Sequence, residues 1–147
     1  MGDGPVLGPA QIRDLIAAYL PDPPGVDLLD VGPGGLVFVA DPAGLTVRPG
    51  GTVSGPALFA FADVAGYLAV NAYLGGTPSA MLTSSSISFL EATAPERLHA
   101  RVVPERIGRR TAVVSARVES PDGCPVALAT LHFSFPGRRS RPGAGAR

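Results

Sequence analysis

The chain has 147 residues, the size of one domain, and 46% of them are hydrophobic against 16% charged. Twelve arginines balance twelve acids to a formal net charge of zero, and lysine is absent. That excludes the overall positive field that nucleic-acid binders use, and so apolar a balance favours a subunit that buries surface against copies of itself, a dimer or a tetramer.

Residues 1–9 are rich in Gly and Pro and are expected to be a flexible N-terminus. They carry neither the basic region nor the apolar run of a secretory signal, so a cytoplasmic location is expected. A single α+β domain is expected over residues 10–136. Residues 10–20 place Ile12, Leu15, Ile16 and Tyr19 at helical spacing, and the PDPPG run that follows stops that helix. VDLLDV, GPGG and LVFVA then read as two strands joined by a glycine-rich turn.

The organising stretch is 48–73, RPGGTVSGPALFAFADVAGYLAVNAY. Ser54, Gly55 and Pro56 make a helix start, because serine caps and proline tolerates the first turn. A long apolar helix follows with one charge in it, Asp63, the only charged residue between Arg48 and Glu91. Burying a lone carboxylate costs on the order of several kcal/mol, comparable to a domain's net stability, so the residue needs a reason. The helix has about the length of a membrane span, but Asp63, Gly66 and Asn71 interrupt it and the later strands would lose their core.

Residues 80–90 begin the strand region. Strict alternation places Met81, Thr83, Ser85, Ile87 and Phe89 on one face and Leu82, Ser84, Ser86, Ser88 and Leu90 on the other. The serine row is either a solvated sheet face or one that meets a polar ligand or another subunit. Leu98, Ala100 and Val102 alternate next, with Pro104 implying a bulge or an edge. Gly108, Arg109 and Arg110 make a turn into Ala112, Val114, Ala116 and Val118, and Pro121, Asp122 and Gly123 make another. The last strand puts Ala127, Ala129, Leu131, Phe133 and Phe135 on one face. Cys124 is alone, which excludes an internal disulfide, and it reads as a small residue early in a strand. His99 and His132 read as half-exposed strand members, and no metal site is expected. Residues 137–147 hold Arg138, Arg139, Arg141 and Arg147 with no acid and read as a disordered tail.

In order and spacing, GGTVSGPALFAFADVAGY, AMLTSSSISFLEA, RVVPERIGRR and the closing antiparallel pair resemble the hotdog-fold acyl-CoA thioesterases of the phenylacetate-pathway type, over about residues 25–136. The resemblance implies an antiparallel sheet wrapped around one central helix and hydrolysis of a small or medium acyl-CoA, with coenzyme A as part of the substrate and no cofactor. In that family a His-Gly-Gly turn opens the helix and a catalytic acid follows two to three turns later. Here Ser54, Gly55 and Pro56 occupy the turn and Asp63 stands where the acid belongs. The implied roles are Asp63 as general base or nucleophile, Gly55 N–H as oxyanion donor, and Thr83, or one position later Ser84, as the hydroxyl that orients water. Ser54 replaces the family histidine and either caps the helix or contacts the acyl group. Arg48 replaces an asparagine and pairs with a carboxylate, pairs with a CoA phosphate, or lies free on the surface. Pro56 borders the substrate, and Arg109 and Arg110, with Arg106, are candidates for the CoA phosphates or else a solvated turn.

Eight residues of helix rise separate Gly55 from Asp63 by about 12 Å, too far to serve one carbonyl within a single chain. A composite site is therefore expected, with Gly55 from one subunit and Asp63 from its partner. Phe59, Phe61, Tyr67 and Tyr73 either line an apolar pocket or belong to the core. The alternative to an enzyme is a non-catalytic hotdog protein that binds acyl-CoA or a related ligand.

Overall fold

A computed structural model describes residues 4–75 and 78–137. Of the basic tail expected over residues 137–147, residues 138–147 lie outside them. Along the chain come α1 (Pro9–Tyr19), β1 (Val26–Gly32), β2 (Gly35–Ala40), a short 3-10 turn (Pro42–Gly44), α2 (Gly55–Leu74), β3 (Met81–Phe89), β4 (His99–Ile107), β5 (Thr111–Glu119) and β6 (Pro125–Ser134).

The six strands form one antiparallel sheet in the order β1-β2-β4-β5-β6-β3. This is the hotdog architecture, in which the sheet curls around α2. Ala100, Val102, Ala112, Val114, Ala116, Val118, Ala127, Ala129 and Leu131 are buried on the helix side, as their alternation predicts. Small residues at so many of these positions let the helix approach closely. Gly66 takes this furthest, because a Cβ there would stand 2.6 Å from Cδ1 of Leu131 and 3.4 Å from the Phe133 ring.

The helix is apolar nearly all round because it is covered nearly all round, with Ala62, Ala65, Leu68, Ala69 and Val70 at zero exposure. Among the described residues it is the one helix long and apolar enough to cross a membrane, and most of it is buried inside the protein, as a core helix would be. Asn71 closes its C-terminal end. Its side-chain amide donates to the Tyr67 carbonyl at 2.9 Å, and its Oδ1 accepts the Ser79 N–H at 3.0 Å, tying the helix to the approach of β3.

Helix α1 packs on β1 and α2 through Ile12, Leu15 and Ile16, while Tyr19 is 56% exposed and not part of that face. Part of the N-terminal stretch expected to be loose is anchored, since Val6 and Leu7 both donate to the Ala72 carbonyl. Pro104 sits next to a bulge within β4, opposite Val114, and beyond the residues of β4 that pair with β2, so both of its readings hold. Cys124 is exposed and precedes β6.

Strict alternation fails on β3. The register shifts between Leu82 and Ser84, where Leu82 faces Phe133 and Ser84 faces His132, with Thr83 as the extra residue. Leu82 consequently shares the helix side with Ser85, Ile87 and Phe89, while Ser84, Ser86 and Ser88 share the outer side. A one-residue bulge inverts one end of a strand relative to the other, and a run of similar hydroxyl residues gives no periodic signal of it.

Candidate active site

The site begins at the helix start. Ser54 has extended backbone (φ −72°, ψ 153°) and its Oγ accepts the Ala57 N–H at 3.2 Å, so Ser54 is the N-cap. Pro56 has no N–H to satisfy, and the Gly55 N–H has no hydrogen-bond partner among the described residues. A donor at the positive end of a twenty-residue helix is therefore left open.

The cap is clamped from both sides. The Ser54 N–H donates to the Thr46 carbonyl and the Val53 N–H to the Thr93 carbonyl, each at 2.9 Å, and Val47 bridges Val53. The Phe89 ring lies 3.4 Å from where a Gly55 Cβ would be, so glycine there lets an aromatic edge approach the open amide.

Asp63 lies two turns along on the side of α2 that the sheet leaves uncovered. Pro56 and Ala60 are exposed there, and Phe59, Asp63 and Tyr67 are half-buried. No hydrogen bond or ion pair within the described residues reaches the Asp63 carboxylate, and burial raises its pKa above the ordinary 3.8. Tyr67, one turn further on, makes no hydrogen bond to it. The Tyr67 hydroxyl is itself pushed up, by burial first and by Tyr19 second.

Two hollows flank the helix start. One of about 610 Å³ lies between the first three turns of α2 (Pro56, Ala60, Phe61, Val64) and the loop through Leu45 and Val47. The other, of about 390 Å³, is bordered by Gly55, Leu58, Phe89 and Glu91. Arg48 lines both. Of the aromatic residues proposed for a pocket, Phe61 lines the larger hollow while Tyr73 is buried with its hydroxyl unpartnered.

The other candidates are spread over the sheet. Thr83, in the bulge, donates its hydroxyl to the His132 carbonyl at 3.1 Å, and Ser84 is exposed on the outer side. Register places Ser85 on the helix side, opposite Leu131, on which Gly66 rests one turn beyond Asp63. Ser85 is the hydroxyl that strict alternation did not single out. Arg109 and Arg110 lie in the β4–β5 turn next to Phe135, whereas Gly55 lies by Phe89 at the other end of β3. One chain thus brings together Arg48, Ser54, Gly55 and Pro56, holds Asp63 apart from them, and sets Arg109 and Arg110 at the far end. Among the described residues no three His, Cys, Asp or Glu side chains converge to hold a metal.

Comparison with known proteins places the fold and the sequence among thioesterases. A proposed thioesterase from Silicibacter sp. is 28% identical, with 92% of this chain and 96% of that one covered at a TM-score of 0.81. A thioesterase from Haemophilus influenzae shares the fold at 16% identity, with 96% and 99% covered and a TM-score of 0.79. A protein from Thermus thermophilus is 30% identical over 76% of this chain and 92% of its own, with a TM-score of 0.63. No curated protein matches the chain. The sequence profile of the thioesterase superfamily matches residues 50–127, a span that holds the cap, the open amide and the isolated carboxylate, and the chain belongs to that superfamily.

Proposed function

We propose that the protein hydrolyses the thioester of a small or medium acyl-CoA at a site built by two subunits, with Asp63 from one and the Gly55 N–H from the other. The observation that carries this reading is a half-buried carboxylate with no partner among the described residues, on an uncovered helix face, two turns from an open amide at the start of the same helix. A structural acid would be paired or hydrogen-bonded, because an unpaired one only costs stability. The spacing from Arg48 to Asp63 supports the phenylacetate-pathway type.

In the reaction, the carbonyl oxygen of the thioester points at the Gly55 N–H. The Asp63 carboxylate takes a proton from water, whose oxygen bonds to the carbonyl carbon. Charge gathers on the carbonyl oxygen, where the open amide and the helix dipole stabilise it. The tetrahedral intermediate then reforms the carbonyl, the carbon–sulfur bond breaks, and the proton held by Asp63 passes to the departing thiolate. Asp63 can instead attack the carbon itself, expelling the thiolate as the carbon–sulfur bond breaks and leaving an anhydride that water then cleaves to the free acid and the Asp63 carboxylate. Ser54 acts as the cap that holds the amide, and Pro56 borders the acyl path. Thr83, at the bulge of the edge strand, orients water, whereas Ser84 faces the outer side of the sheet. Arg109 and Arg110 are far from Gly55 of their own chain, so any contact they make with CoA phosphates belongs to a site opened by another chain's helix.

Release of free thiol from a panel of acyl-CoAs tests this. Asp63→Asn is expected to lower the rate by about 10²–10⁴, the usual contribution of a general base. An unchanged rate would remove Asp63 from the mechanism. Complementation tests the shared site: Asp63→Asn chains mixed in equal amounts with chains carrying Gly55→Pro, which removes the open N–H, should recover about a quarter of the wild-type rate from two inactive parents, since about half the dimers are mixed and each of those has one intact site. If neither wild type nor any variant cleaves a thioester while CoA raises the melting temperature, the protein is a binding module instead.

A further inference from the structure

We propose that Arg48 is an anion subsite of the substrate, its guanidinium taking an anionic oxygen that the substrate carries away from the thioester. That oxygen belongs either to a carboxylate at the far end of a diacid acyl chain or to a phosphate of coenzyme A. The proposal rests on the thioesterase reading and adds a selectivity to it.

Among the described residues Arg48 is the one that lines both hollows beside the helix start, and the only cation lining either. Gly55 lines the smaller hollow, and its neighbours Ser54 and Pro56 line the larger, so a thioester whose carbonyl oxygen meets the Gly55 N–H would have Arg48 beside it in either hollow. The Arg48 side chain is exposed and makes one long contact, from Nη1 to the Thr52 hydroxyl at 3.5 Å. Glu91 borders the smaller hollow yet forms no ion pair with it. A guanidinium carries five N–H donors in a fixed fork suited to carboxylate and phosphate oxygens, and nearly all of these are free.

The backbone beneath this side chain is set in advance. The Arg48 N–H donates to the Thr52 carbonyl at 2.8 Å and the Gly51 N–H to the Arg48 carbonyl at 3.0 Å, closing a tight turn. Gly50 and Gly51 have φ of 107° and 91°, which glycine adopts without strain. The Thr46–Ser54 bond couples the same loop to the cap, so Arg48 and the Gly55 amide are held in one frame. A surface arginine without a role would not need so constrained a turn at the junction of two hollows.

The test measures kcat and KM for wild type, Arg48→Gln and Arg48→Lys on two acyl groups of equal length, one neutral and one ending in a carboxylate. Each is supplied on coenzyme A and on N-acetylcysteamine, which has the thioester but no phosphate. With a carboxylate as the anion, Arg48→Gln raises KM about tenfold or more for the diacid on both carriers and leaves the neutral esters unchanged, with partial recovery in Arg48→Lys. With a phosphate, KM rises alike for both CoA esters and stays fixed for both cysteamine esters. The proposal is overturned if no ester responds, or if kcat falls on every ester at unchanged KM, which would place the guanidinium on the reacting carbonyl. Should wild type release thiol from none of them, the hydrolase reading fails by itself. The subsite is then read by melting temperature, where protection by the CoA esters must be lost in Arg48→Gln and kept in Arg48→Lys for the proposal to stand.

Discussion

Asp63 holds together two demands that oppose each other. As a base or nucleophile it must be ionised, yet its half-buried position favours the neutral form and raises its pKa. The folded chain thus binds this proton more tightly than the unfolded chain, for which 3.8 is the reference. Stability from this group is complete below that value and is lost as pH rises through the raised folded value. Two measurements check the sign. The acidic limb of kcat/KM should lie above the ordinary carboxylate range, and Asp63→Asn should melt at a higher temperature than wild type at neutral pH, with the advantage fading in acid. An Asn variant less stable than wild type at pH 7 would mean that the carboxylate has a partner. Ser54 makes the contrasting case, because its hydroxyl is already engaged with the Ala57 N–H. Ser54→Ala should cost about 1 kcal/mol in a urea titration, and Ser54→Gly only a few tenths.

The relation of α2 to the sheet shows which features were legible in sequence and which were not. The helix start was, because Ser54, Gly55 and Pro56 each have a local reason to be there, and so was the inward face of β4 to β6, because period-two alternation survives wherever one side is buried. The bulge at Thr83 was not legible: Thr83, Ser84, Ser85 and Ser86 are chemically alike, so a slip by one leaves no trace in hydropathy. Nor was the position of β3 at the sheet edge beside β6, since β3 follows the helix in the chain and only pairing settles its neighbour. Gly66 reads in sequence as an interruption of a helix, yet in the fold it is the place where Leu131 reaches the helix backbone. Gly66→Ala would gain about 1 kcal/mol of helix propensity and incur about 1–3 kcal/mol of overpacking strain, so a net loss is expected. The urea midpoint should fall at an unchanged slope; a rise would mean that Leu131 moves aside freely.

At the scale of the molecule, two uncovered surfaces among the described residues bear on assembly. One is the face of α2 that carries Pro56, Ala60 and Asp63, and the other is the free edge of β3, where Met81, Phe89 and Leu90 are 67%, 53% and 51% exposed. An open edge strand with exposed apolar side chains invites pairing, and a second copy of the chain brings its own open edge and its own Asp63. Assembly through these surfaces would join the two halves of the proposed site that the length of the helix keeps apart. Ala60→Arg tests it, because Ala60 is exposed in the single chain and arginine is a good helix former, so the fold should survive. Light scattering should then give one chain of 14.9 kDa, and thiol release should disappear with the partner. The outer side of the sheet supplies the comparison. Leu128 is 46% exposed there, so Leu128→Arg should leave the dimer and its activity intact while splitting any tetramer that stacks through the sheet. An Ala60→Arg chain that keeps wild-type mass would move the interface elsewhere, and the shared site would then have no geometry to form it.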